Sequence, residues 1–213
     1  MTRIVDLTMT LQEGMVTYPG HPVVEITQLA RFGYEGKETR KIVLGTHTGT
    51  HIDAPRHYIE GGATVHEIPL DVLCGPARVL NFCGYAVGVD HIRVKRMTRG
   101  GSVERVLFRF DGDERLGTFG YYRNQPWLQK DAACWLIDNG CKLIGLDTPM
   151  PDSYEDIDTM PIHKLLLGAG IVIVEYMVNL KAIQAETFQL IVAPLKIKDG
   201  DGAPARCFAV VED

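Results

Sequence analysis

The chain has 213 residues, 46% of them hydrophobic, and a formal net charge of −5. That length and apolar share suffice for a full core in one domain, residues 1–213, and the acidic balance argues against nucleic acid or an anionic membrane as the main partner. Five cysteines, with no C-x-x-C pair among them, suit free thiols in a reducing cytosol. No apolar run approaches the length of a membrane span, and Met1–Asp6 carries no hydrophobic signal region, so the expected location is the cytoplasm.

In chain order, short β-type runs dominate. Strands are expected over Ile4–Met9, Val23–Phe32 and Thr39–Leu44, with Tyr18-Pro19-Gly20-His21-Pro22 as a rigid turn before the second. Further strands are expected over Ala77–Phe82, Val103–Phe110, Leu143–Leu146, Ile171–Val174, Phe188–Ala193 and Cys207–Val211. A short helix near Val89–Met97 has Asp90 as its cap. Leu128–Asn139 reads as the clearest helix, with Ala132, Trp135 and Leu136 on one face and Gly140 ending it. Pro161–Leu167 reads as another, with proline in its first turn. Many strands, few helices and no linker predict a mixed α/β domain on a substantial β core.

The segment Gly45–His57, G-T-H-T-G-T-H-I-D-A-P-R-H, places His47, His51, Asp53 and His57 within eleven residues. Imidazoles and a carboxylate are the ligands a zinc-like cation takes. On a straight strand His47 and His51 would stand roughly 13 Å apart. Gly49, the threonines and Pro55 oppose a helix. A strand bent at Gly49 brings the histidines together, and His51 and Asp53 then share a face.

Two further candidates lie in the second half, Glu175 and His163, the latter read from the residues alone as more commonly an ordinary surface histidine. Glu175 interrupts the apolar run Gly170–Met177, where a lone carboxylate needs a cation or a metal. His163 falls in the first turn of a short helix, and Asp147 sits at a strand end. Tyr18 offers an aromatic wall for a substrate ring. His21, His66 and His91 are isolated and read as structural or exposed.

His47–His57, H-T-G-T-H-I-D-A-P-R-H, resembles the signature H-x-G-T-H-x-D-x-P-x-H of the metal-dependent cyclase superfamily, which includes bacterial kynurenine formamidases (arylformamidases). The resemblance continues through Ile68–Asp71, Gly145–Pro149, Met160–His163 and the Glu175 strand to Pro194–Lys196. It implies a swivelling β/β/α domain with a mixed β core and few helices, assembled as a homodimer or larger homo-oligomer. By similarity, His47, His51 and Asp53 bind one metal, and Asp53 bridges to a second ion held by His163 and Glu175. His57 then serves as proton donor and acceptor. The implied cofactor is one or two divalent ions, zinc favoured and manganese the alternative. The implied reaction is hydrolysis of a small amide, N-formylkynurenine foremost. The alternatives are a cyclase or hydrolase of a cyclic imide or lactone on the same scaffold, and a non-enzymatic metal-binding or ligand-sensing protein. Against the formamidase pattern, Tyr18 stands where tryptophan is usual, His21 where an acid is usual, and His163-Lys164 replaces a histidine pair.

Overall fold

The computed structural model describes residues 1–84 and 88–212. Its framework is one sheet in the order β1-β10-β4-β8-β7-β6-β5-β9 that closes on itself through a β9–β10 pairing. Seven strands complete the ring: β4 (His51–Asp53), β5 (Cys74–Asn81), β6 (Arg105–Arg109), β7 (Leu143–Leu146), β8 (Val172–Glu175), β9 (Phe188–Pro194) and β10 (Gly202–Glu212). β1 (Thr2–Asp6) adds to the outer half of β10, from Thr2↔Glu212 to Asp6↔Phe208. A separate hairpin, β2 (Glu25–Ala30) and β3 (Thr39–Val43), is joined by a one-turn helix α1 (Phe32–Glu35).

Strands β5 to β8 run parallel, and each step is made through a helix. These are α3 (His91–Thr98), α4 (Lys130–Asp138) and α5 (Pro161–Gly168), while a one-turn α2 (Leu70–Leu73) leads into β5. The strands therefore bury both faces. In β6, Leu107 packs inside the closed sheet with Ile52, Leu143, Val174 and Cys207. Val106 and Phe108 face the other way, against Ala132, Leu136 and Leu166 of the helices. Each such fully buried leucine or phenylalanine contributes about 1.5–3 kcal/mol of apolar burial.

The expected helices form with small boundary shifts. Asp90 caps α3 by accepting from Arg93 N at 2.9 Å, and Gly140 ends α4 at φ +77°, where only glycine is free of strain. Trp135 is only partly buried, so Ala132, Ala133 and Leu136 form the inward face of α4. The last strand is much longer than the expected Cys207–Val211. Gly202–Ala205 lacks β-branched residues, yet it pairs with β4 on one side, and from Ala205 onward β10 pairs with β9. Among the described residues, no helix is long and apolar enough to cross a membrane.

Candidate metal centre

The site lies at the C-terminal end of β8, on the helix-facing side of β4 and β8. Gly49 has φ +60°, and beyond this bend the chain enters β4. His51 and Asp53 point to one side of β4, while Ile52 points into the core. The antiparallel register sets Glu175 of β8 directly opposite His51. The bend turns His47 back, so that the His47 and His51 rings lie 5.0 Å apart and nearly perpendicular. α5 delivers His163 from the far side, buried in its first turn.

All of these groups converge on Asp53. Its Oδ1 is 2.7 Å from His47 Nδ1 and 3.3 Å from His51 Nε2. Its Oδ2 is 3.3 Å from His163 Nε2, which in turn is 3.1 Å from Glu175 Oε1. His51 Nε2 also lies 3.5 Å from Glu175 Oε2. Two ligands on one tetrahedral zinc stand roughly 3.3 Å apart, and these separations bracket that spacing.

The other nitrogen of each histidine is fixed by an acceptor. His51 Nδ1 donates to the Gly49 carbonyl at 2.8 Å, His163 Nδ1 to Asp152 Oδ2 at 2.6 Å, and His47 Nε2 to Asp201 Oδ2 at 2.9 Å. Such bonds set the tautomer and leave the opposite nitrogen for a cation. Buried His51 Nε2 and Asp53 Oδ2 have no hydrogen-bond partner in the protein, an uncompensated cost that a bound cation removes. The donor set thus fits a divalent ion. The ligand atoms of His51, Asp53 and Glu175 approach within 4.8 Å of one another, as do those of His47, Asp53 and His57.

Burial disfavours charge on Asp53 and His163, but their mutual contacts outweigh it. Asp53 is held well below the usual carboxylate range by His47, His163 and His51, and His163 is raised by Asp152, Asp53 and Glu175. His47 likewise rises to about 10 despite burial, because Asp53 and Asp201 flank it. Glu175 is raised by burial and by the Asp53 charge beside it. His57 behaves differently. Burial, with His47 and His163 adding to it and Asp53 opposing, pushes it down to about 4.

The family model described as "Putative cyclase" matches residues 5–153. A kynurenine formamidase of Salinibacter ruber is 34% identical over 218 residues, covering 99% of this chain and 97% of that protein. The chain belongs to the cyclase family. Among solved structures, isatin hydrolase A of Labrenzia aggregata bound to benzyl benzoate superposes with a TM-score of 0.89 at 28% identity, over 100% of this chain and 94% of that one. A protein described as a "potential metal-dependent hydrolase with cyclase activity" matches with a TM-score of 0.83 at 27% identity, over the whole of both chains. The closed mixed sheet with few helices is thus the fold these cyclase relatives share, in agreement with the architecture expected from the signature.

The centre opens into a cavity of about 90 Å³ walled by Tyr18, His21, Tyr58, Met150, Met160 and Tyr176 beside the cluster. Tyr18 stands on it, edge-on to Tyr122 at 5.3 Å, with its hydroxyl 4.0 Å from Met150 Sδ. His21 is not isolated. The turn closed by His21 N donating to Tyr18 O brings its ring 6.2 Å from His47. His66 and His91 are engaged elsewhere, with Asp199 N and Asp131. Arg56 is exposed and does not line the cavity. Asp147 caps a neighbouring turn, accepting from Phe110 N at 2.9 Å, and stays outside the cluster.

Sequence reasoning missed Asp152 and Asp201. Asp152 is fully buried and accepts from Ile162 N at 2.6 Å and His163 N at 3.0 Å, so it caps α5 while orienting its histidine. Its only signal is a Pro-Asp pair ahead of the α5 proline. Asp201 sits in Lys198-Asp-Gly-Asp-Gly202, which has the composition of an ordinary solvent turn.

Proposed function

We propose that the protein is a metal-dependent hydrolase of N-aryl amides, with N-formylkynurenine as its substrate. The observation that carries this reading is the convergence of three tautomer-fixed imidazoles and two buried carboxylates on one point, His57 standing beside them. The formamidase and isatin hydrolase relatives act on amides whose nitrogen is borne by an aromatic ring, and the aromatic walls of the cavity suit such a ring.

His47, His51 and Asp53 would hold one ion, and Asp53, His163 and Glu175 would hold a second. A divalent ion there supplies a Lewis acid for the carbonyl oxygen and a lowered pKa for water. In hydrolysis the water oxygen bonds to the carbonyl carbon, the C–N bond breaks, and the leaving nitrogen gains a proton. His57 carries that proton, first accepting it from the attacking water and then donating it to nitrogen. Its depressed pKa keeps the imidazole neutral and able to accept at pH 7, and it is the most exposed of the four histidines of the cluster. The cavity admits the reacting carbonyl group, and the aryl body extends outward along Tyr18 and His21.

Zinc is the favoured ion and manganese the alternative, since the carboxylate share is substantial. The subunits associate as a homodimer or larger homo-oligomer, supported by exposed Leu29, Phe32, Tyr34 and Ile42 on the β2–β3 hairpin. Five free cysteines support a cytoplasmic setting. A panel of N-formylkynurenine, formanilides, isatin, lactones and cyclic imides tests the substrate. Fastest turnover of N-formylkynurenine supports the proposal, and preference for isatin moves the assignment to ring opening of a cyclic amide. Tight metal binding with no turnover of any member would leave a metal-binding protein.

A further inference from the structure

Asp201 reaches two histidines with one oxygen. Its Oδ2 accepts from His47 Nε2 at 2.9 Å and lies 3.6 Å from His57 Nδ1. The two rings stack against each other, centroids 3.9 Å apart and planes 30° from parallel. Rotation of either ring therefore disturbs the other, and the carboxylate sits at their shared edge.

The segment holding Asp201 is tied down on both sides. Ala54 N donates to the Asp201 carbonyl at 2.9 Å, and Val65 N to the Gly200 carbonyl at 2.8 Å. Asp199 N donates to His66 Nδ1 at 3.1 Å. Gly202 pairs with Asp53 across the β4–β10 ladder, and a Cβ there would come within 2.7 Å of His47 Cε1. Glycine at 202 is thus what lets this strand approach the His47 ring. An ordinary surface ion pair between mobile side chains contributes little. Here the backbone is fixed before the side chain acts.

We infer that Asp201 is a positioning residue that acts on two functions at once, orienting His47 as a metal ligand and His57 as the proton carrier. The inference rests on the proposed role of His57. Toward His47 the arrangement is a carboxylate–imidazole pair behind a metal ligand, whose partners tune affinity. Toward His57 the carboxylate stands 3.6 Å from Nδ1, beyond hydrogen-bond length but close enough for its charge to favour the proton on Nδ1 and leave Nε2 as the basic nitrogen, the logic of an acid that orients a catalytic imidazole.

The test compares wild type, Asp201→Asn, His57→Ala and the double variant, with thermal unfolding as the control for folding. Zinc affinity is read by titrating the metal-stripped proteins against a competing chelator dye, and kcat and KM are read at saturating zinc. Asp201→Asn should weaken zinc binding about 10-fold or more. It should also lower kcat about 10- to 100-fold with KM little changed. In the His57→Ala background it should lower kcat no further, while the loss of zinc affinity persists. Wild-type affinity and kcat in a folded Asp201→Asn protein would overturn the inference. So would a kcat loss that multiplies with that of His57→Ala, because Asp201 would then not act through His57. Full turnover by His57→Ala alone instead overturns the proton-carrier reading, and zinc affinity then decides the His47 half by itself.

Discussion

Asp53 Oδ2 lies 3.3 Å from His163 Nε2, although the two residues come from opposite halves of the chain. The other oxygen of the same carboxylate faces His47 and His51. One side chain therefore joins the histidines of a strand and its preceding bend to His163 of a helix, which in turn meets Glu175 of the neighbouring strand. In β4 nothing apolar shares the face of Asp53, and its burial is tolerable only because cationic groups surround it.

Asp53→Asn removes the charge that both sets share. The protein should lose most of its bound metal and its turnover together. Metal analysis of the purified variant checks this, and full occupancy would refute the shared-carboxylate arrangement. His51→Ala should behave in the same way.

His57→Ala separates proton transfer from metal binding. Metal content should stay near the wild-type level while kcat falls by roughly 10²- to 10⁴-fold. A variant that arrives metal-free would make His57 a ligand, as its closeness to His47 and Asp53 also permits.

Asp152→Ala strips the cap from α5 and frees the His163 tautomer. Two buried N–H groups, of Ile162 and His163, lose their acceptor, at a cost of about 1–3 kcal/mol each. The thermal midpoint of the metal-free protein should fall, and zinc affinity should weaken by about 10- to 100-fold. An unchanged midpoint in the metal-free protein would contradict the capping role.

Asp147 makes stability depend on pH. Burial raises its carboxyl to about 7, with Asp113 and Asp111 adding to the rise and N–H bonds from Phe110 and Gly112 opposing it. The unfolded chain titrates near the ordinary value of about 3.9. The folded protein thus binds this proton more tightly, and the stabilisation is complete below about pH 3.9 and lost as pH rises through 7. Asp147→Asn, which cannot ionise, should gain thermal midpoint over wild type as pH rises from 5 to 8. The corresponding change in relative stability is on the order of a few kcal/mol. A difference that stays constant over that range would place the titration elsewhere.

The part of the site legible in the sequence is the part in which chemistry is concentrated or out of place. His47 to His57 crowd together behind a glycine bend, and Glu175 breaks an apolar strand. His163 became legible only through its resemblance to a motif, since its burial depends on how α5 docks onto β8. Asp152 and Asp201 were hidden because an acid in a Pro- or Gly-rich turn reads the same whether it faces solvent or a histidine. Closure of the sheet was hidden for a related reason. β10 joins β9, β4 and β1 through long-range pairings, and its first residues, Gly-Ala-Pro-Ala, have no strand signature of their own.

On the proposed function, the Asp53 cluster is what makes this chain a metal-dependent hydrolase of an N-aryl amide. Formate release from N-formylkynurenine by metal-stripped protein, followed as zinc or manganese is added back, tests it most directly. The rate should rise from baseline and saturate at one or two equivalents of metal per chain. No formate at any metal concentration, from protein that binds the metal, would contradict it.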